Sequence, residues 1–188
     1  IFKDGQFINY NTENGLMDDR IVFTDVDSKG TIWMTTDGGG LISYNGDEFT
    51  HYTVEDGLAN AETYGIHIDD RDYVWVGTFG SGVSIFDGET WGSIDTRDGL
   101  IHNIIKDIWN VGNTYWFAGE RGGISEYKPS TNSGFVKINE VVTTNKNFKI
   151  ESNTDKIETV VNNRINFKVV ASNYNTLSIK QKFRYRIP

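Results

Sequence analysis

The sequence of 188 residues predicts an all-β fold: a partial β-propeller, with three four-stranded blades and a piece of a preceding one, followed by a truncated immunoglobulin-like β-sandwich. Three observations lead there. The chain repeats itself at an interval of 42 residues, apolar residues alternate with period two between Asn-Gly and Asp-Gly turns, and glycine and tryptophan both stop by residue 134.

Phe7, Phe49 and Trp91 stand 42 residues apart, and so do Gly15-Leu16, Gly57-Leu58 and Gly99-Leu100. Trp33 and Trp75 keep that interval, but Trp116 follows at 41, as Tyr127 does after Phe86. One residue is therefore expected to be missing just after Gly99-Leu100. Each unit opens on an alternating segment: Val22, Thr24 and Val26, then Tyr64, Ile66 and Ile68, then Ile105, Asp107 and Trp109. A turn follows, then a segment centred on Trp33, Trp75 or Trp116, a Gly-rich corner, a short strand ending in an aromatic, and a last strand. Alternation, β-branched and aromatic enrichment, and Asn45-Gly46 and Asp87-Gly88 turns read as four short antiparallel strands per unit. Four strands in about 42 residues is the size of a propeller blade. The three aligned tryptophans are expected to fill the gaps between adjacent sheets. Trp109, set against Val26 and Ile68, reads as core packing.

Three complete units are present, and Phe2 to Phe7 matches Tyr44 to Phe49, so it belongs to an earlier blade. Known rings take roughly four to eight blades, so three cannot close one. The expectation is a piece of a longer propeller whose start falls inside a blade; the alternative is a ring completed by other chains.

Composition marks the next boundary. Residues 1–134 hold 8 Lys and Arg against 22 Asp and Glu, a balance of −14, whereas residues 135–188 hold 10 against 4, a balance of +6. The change falls at Lys128-Pro129-Ser130-Thr131-Asn132-Ser133-Gly134, which sets blades at 1–134 and a second domain at 135–188. The acidic part would repel nucleic acid and favours neutral or cationic ligands. No run approaches the roughly 18 apolar residues of a membrane span, so a membrane is expected only through segments outside this sequence. The absence of Cys excludes disulfides and thiolate metal sites.

In the second domain, Phe135 to Val141, Asn163 to Ala171 and Phe183 to Ile187 alternate as strands. A β-sandwich takes about 100 residues, so this is expected to be the N-terminal part of one.

The sequence marks no catalytic residue, metal site or cofactor. Asp25-Val26-Asp27-Ser28-Lys29-Gly30 begins like a calcium loop, but Lys29 occupies a ligand position and the closing Glu is missing; a turn capped by Asp27 is the simpler reading. Gly77 to Gly82 lies between two strands and lacks the Lys and helix N-terminus of a phosphate loop. His51, His67 and His102 occupy unrelated repeat positions. Adjacent carboxylates such as Asp69-Asp70 point to opposite faces of a strand.

Binding remains, and the repeats supply an internal control: a residue kept in every blade serves the architecture, whereas a position that differs is free for a ligand. At one mouth of the funnel the differing positions are Asp37, Phe79, Glu120 and Arg121 in the corners, with Asn60, His102 and Asn103 in the connections between blades. Phe79 can stack on the apolar face of a sugar, and Glu120 with Arg121 can hydrogen-bond hydroxyls or a carboxylate. Ordinary exposed loop residues are the competing reading for each.

Glu55-Asp56-Gly57-Leu58, Asp69 to Thr78 and Gly80 to Gly88 resemble the two-component regulator propeller repeat, which reads D-G-L, then D-x-x-G-x-x-W-I-G-T, then G-G-G-L and an aromatic. The match recurs in register three times over residues 1–128. The third copy departs, with Asn113 to Gly119 in place of the W-I-G-T pattern and Arg121 where a corner Gly is expected. Residues 135–188 are similar to the start of the three-tyrosine, immunoglobulin-like domain that follows such propellers. The resemblance implies the periplasmic or extracellular sensor region of a bacterial inner-membrane histidine kinase or hybrid system, of the kind that detects carbohydrate breakdown products. It implies no enzymatic activity here, a small-molecule or oligosaccharide ligand at the funnel, a homodimer through the full-length sensor, and relay through the immunoglobulin-like domain. The alternatives are a structural or protein-binding propeller, and a propeller lyase or hydrolase.

Overall fold

The computed structural model describes residues 5–129 in full and, beyond them, the backbone strands at 2–3, 135–143, 147–149 and 165–172. The chain forms two compact units, Ile1–Pro129 and Ser130–Pro188.

The first unit is a partial β-propeller. A two-stranded hairpin, β1 (Phe2–Lys3) and β2 (Gln6–Phe7), precedes three antiparallel sheets. The first sheet is β3 (Ile21–Val26), β4 (Ile32–Thr36), β5 (Leu41–Tyr44) and β6 (Phe49–Tyr52), paired in sequence order. The second is β7 (Thr63–Ile68), β8 (Val74–Thr78), β9 (Val83–Phe86) and β10 (Trp91–Ile94), again in order. The third is β11 (Ile105–Val111), β12 (Thr114–Gly119) and β13 (Ile124–Tyr127). The repeat predicts a fourth strand here, and among the described residues there is none. After Tyr127 comes Lys128-Pro129 where the earlier blades have Asn45-Gly46 and Asp87-Gly88, so the sequence lacks the Asn-Gly or Asp-Gly turn signal at this point.

Period-two alternation makes these sheets into blades, because each strand feeds two interfaces. Val74 and Val76, with Ile66 and Phe86 of their own sheet, face the first sheet and pack on its Trp33 and Leu41 and on Leu58 from the connecting loop. Trp75, between them in the chain, faces the third sheet with Val83, Leu100, Ile105, Ile108, Tyr115 and Phe117. Trp75 stacks on Tyr115 at 4.0 Å between ring centroids. Burying side chains of this size contributes about 1.5–3 kcal/mol each, which is why the sheets adhere face to face.

The turn between the first two strands of a blade is tied to that interface. Asp27 accepts backbone N–H bonds from Lys29 (3.0 Å) and Thr31 (2.8 Å) and the Trp33 indole N–H (3.1 Å). Asp69 does the same for Arg71, Tyr73 and Trp75, and its carboxylate also receives the Arg71 guanidinium at 2.7 Å and the Tyr115 hydroxyl at 2.6 Å. Burial works to raise Asp69, but bonds from Tyr115, Arg71 and Trp75 outweigh it and hold the carboxyl down to about 2. Burial and the Asp69 carboxylate push Tyr115 up to about 12. Asp72, at φ 60°, stands where the first blade has Gly30, and its carboxylate accepts the Ser28 N–H and hydroxyl, joining neighbouring blades.

In the third blade the missing residue lies in the turn. The five-residue loops 27–31 and 69–73 give way to Gly112-Asn113 and one extra strand pair, Val111↔Thr114. Trp109 therefore pairs with Trp116 as Asp25 pairs with Trp33 and His67 with Trp75. Its equivalents are Asp25 and His67, not Val26 and Ile68. The expectation of core packing fails: Trp109 is 63% exposed, with one face against the His67 ring at 5.1 Å. Trp33 and Trp75 fill gaps between sheets; Trp116, in the same repeat position, alternates away from Tyr115 and Phe117 and is half-buried on the face that meets no further sheet among the described residues.

In the second unit β14 (Phe135–Thr143), β15 (Asn147–Lys149) and β16 (Ile165–Ser172) form one antiparallel sheet in the order β15-β14-β16. The strands expected at 135–141 and 163–171 lie at β14 and β16; the one expected at 183–187 lies outside the described residues. The described residues contain no helix, so none is long and apolar enough to cross a membrane.

Candidate functional site

The first strands of the three blades, β3, β7 and β11, lie side by side. At one end they meet the corners that follow β4, β8 and β12. The corners are possible because Gly40 and Gly82 adopt φ of +82° and +77°, and a Cβ on either would overlap the carbonyl oxygen of Tyr52 or Ile94 on the outer strand. Asp37, Phe79 and Glu120 open the corners and are anchored alike: their backbone N–H groups donate to the carbonyls of Arg20 (3.1 Å), Glu62 (3.0 Å) and Ile104 (2.9 Å). One backbone design thus presents three different side chains on one rim.

Those side chains fall into two groups. Around Asp37, Arg20 donates to the Asp37 carboxylate at 2.8 Å and to its backbone carbonyl, and reaches Asp18 at 3.2 Å. Asp18 is held below the usual carboxylate range, first by the Arg20 backbone N–H, against the cost of burial, and then by the guanidinium. Around Phe79 the partners are Tyr64, with ring centroids 5.9 Å apart, and Lys106, whose Nζ is 3.7 Å from the Tyr64 centroid, 5.5 Å from the Phe79 centroid and 3.7 Å from Glu120 Oε1. Phe79 is 40% exposed, and the Lys106 and Glu120 side chains 38% and 37%. Two π faces, a donor and an acceptor thus share one exposed spot, a set suited to binding.

The connection residues serve the backbone. Asn60 accepts the Glu62 N–H at 3.0 Å and donates to the Phe79 carbonyl at 2.7 Å; His102 Nδ1 accepts the Ile104 N–H at 2.9 Å. Asp18 does the same for Arg20 at 2.9 Å, so Asp18, Asn60 and His102 are one acceptor position filled by three residue types. Asn103 accepts the Thr96 N–H at 2.8 Å, and its carbonyl receives Gly80 and Gly82. Arg121 is exposed beside Glu120, and the left-handed turn that Gly38 and Gly80 provide moves one residue on, to Gly122 at φ +87°.

Of the seven candidates, Phe79 and Glu120 are brought together through Lys106, whereas Asp37 sits with Arg20 and Asp18. Tyr64 and Lys106 were missed. They are the same repeat position as Val22, and its variation from Val to Tyr to Lys is the signal already applied to the corners; extended to the first strands, it finds both.

No family model matches the chain, and no curated protein matches it. Among solved structures, the extracellular domain of a protein described as a one-component system of B. thetaiotaomicron matches at 16% identity and TM-score 0.51, over 76% of this chain and 24% of that one. The extracellular domain of a protein described as a hybrid two-component system of the same organism matches at 17% identity and TM-score 0.51, over 78% of this chain and 26% of that one. A virginiamycin B lyase of Staphylococcus aureus matches at 20% identity over 79% of this chain and 61% of that one, with a TM-score of 0.46, too low to bear on function. This chain spans about a quarter of the length of the first two structures. At these identities the likeness is one of fold.

Proposed function

We propose that this chain is part of the sensor region of a bacterial two-component regulator, non-catalytic in itself, with a small molecule or oligosaccharide as ligand at the corner mouth of the propeller. The observation that carries the reading is the blade architecture shared with extracellular domains of proteins described as one-component and hybrid two-component systems. On this reading the chain lies on the periplasmic or extracellular side of an inner-membrane protein. A histidine kinase or other output lies beyond a membrane span, and the full sensor works as a homodimer. The second unit, as the start of an immunoglobulin-like domain, relays the ligand signal, which requires the ligand to bind one of two states more tightly.

The contacts among Tyr64, Phe79, Lys106 and Glu120 support a ligand site there. A thermal-shift screen of the 188-residue chain against neutral and acidic oligosaccharides tests it. At least one sugar should raise the melting temperature, and Phe79→Ala and Glu120→Ala should abolish that rise while leaving the unliganded melting temperature within about 4 °C. A shift that survives both substitutions overturns the site.

A further inference from the structure

The Lys106 ammonium marks where a cation is held at the mouth. Nζ lies 3.7 Å from the centroid of Tyr64, with Phe79 at 5.5 Å and Glu120 Oε1 at 3.7 Å. The ring faces are negative by their quadrupoles and the carboxylate by its charge, so three separate segments, β7, the corner after β8 and the corner after β12, converge on a cation. The fold does not demand one, because the equivalent residues are Val22 and Tyr64 and the Lys106 side chain is 38% exposed. The first unit is also strongly acidic, with 8 Lys and Arg against 22 Asp and Glu over residues 1–129, which raises the local concentration of cations. Of the two guanidinium groups at the rim, Arg20 is engaged by Asp18 and Asp37, and Arg121 is exposed beside Glu120.

We propose that the mouth takes a ligand bearing an organic ammonium group, with Tyr64, Phe79 and Glu120 as its walls and Lys106 as a tethered occupant that the ligand displaces. This rests on the reading of the mouth as the ligand site and names the chemistry of that ligand. The ammonium sits against the Tyr64 face and Glu120 supplies the counter-charge, while Lys106 swings on its exposed stem into solvent. Lys106 thus sets a threshold, since every ligand must compete with an intramolecular cation.

The test is an NMR titration of the full chain with choline and with dimethylbutanol, the uncharged carbon isostere of choline. In wild type, choline should bind more tightly than the isostere. In Lys106→Ala, and in Lys106→Ser as a second variant, choline affinity should rise by about fivefold to tenfold, the range of one cation–π contact, with the isostere unchanged. Adding Glu120→Gln should reverse much of the gain. Choline binding no tighter than the isostere in both Lys106 variants overturns the proposal. If neutral sugars still shift the melting temperature in that case, the mouth stands as a ligand site and only the cationic class falls. If neither choline nor any sugar binds, both readings fall.

Discussion

Replacing Asp69 by Ala removes five hydrogen bonds at once: the backbone N–H groups of Arg71 and Tyr73, the Trp75 indole, the Arg71 guanidinium and the Tyr115 hydroxyl. Trp75 and Tyr115 are 3% and 1% exposed, so water cannot replace the lost acceptor. Each buried donor left without a partner costs about 1–3 kcal/mol, which puts the loss at about 4 kcal/mol. Asp27→Ala at the equivalent position removes only two backbone bonds and the Trp33 indole bond. Its cost should be about 1–2 kcal/mol. Urea unfolding of the two variants, compared at equal slope, measures the difference directly. Equal losses would refute the claim that the cross-blade Tyr115 bond, together with the Arg71 guanidinium within the turn, makes the second turn the stronger clamp.

The same carboxylate predicts an acid limb. Its folded pKa, about 2, lies below the ordinary 3.8, so its contribution is complete above about pH 4 and is lost as the pH falls toward 2. The span amounts to about 2 kcal/mol in wild type, and it should be absent from Asp69→Ala in a pH series of urea midpoints. Gly82→Ala should cost more than Gly123→Ala, because a Cβ at 82 meets the Ile94 carbonyl, whereas at 123, φ +112°, it meets nothing; thermal melts compare them. Leu58→Ala opens a cavity between the first two sheets and should cost about 2–5 kcal/mol, whereas Leu16→Ala, at a half-buried position, should cost less than about 2. A smaller loss at Leu58 than at Leu16 in urea titrations would contradict the face-to-face packing.

Much of the first unit was legible because its signals are local. Val74, Trp75 and Val76 alternate by the geometry of a strand, and Asp56-Gly57-Leu58 sets the same loop as Asp98-Gly99-Leu100, with Leu58 and Leu100 both buried. The control by variation worked less well for the site. Asp18, Asn60 and His102 differ in type yet accept the same backbone N–H, so variation in the sequence concealed constancy of function. The register of Trp109 was misread because spacing alone cannot say where between Leu100 and Trp116 a residue is missing; strand pairing can.

The period, the alternation and the turn residues belong to the sequence by itself, because each acts over a few neighbouring positions. Tertiary structure decided which residues meet across blades: Ser28 with Asp72, His67 with Asn110, Asp69 with Tyr115, Tyr64 with Lys106. These partners are 42 to 46 residues apart, and no local preference encodes such a meeting. It follows from the stacking of one sheet on the next, which the burial of Trp33 and Trp75 drives.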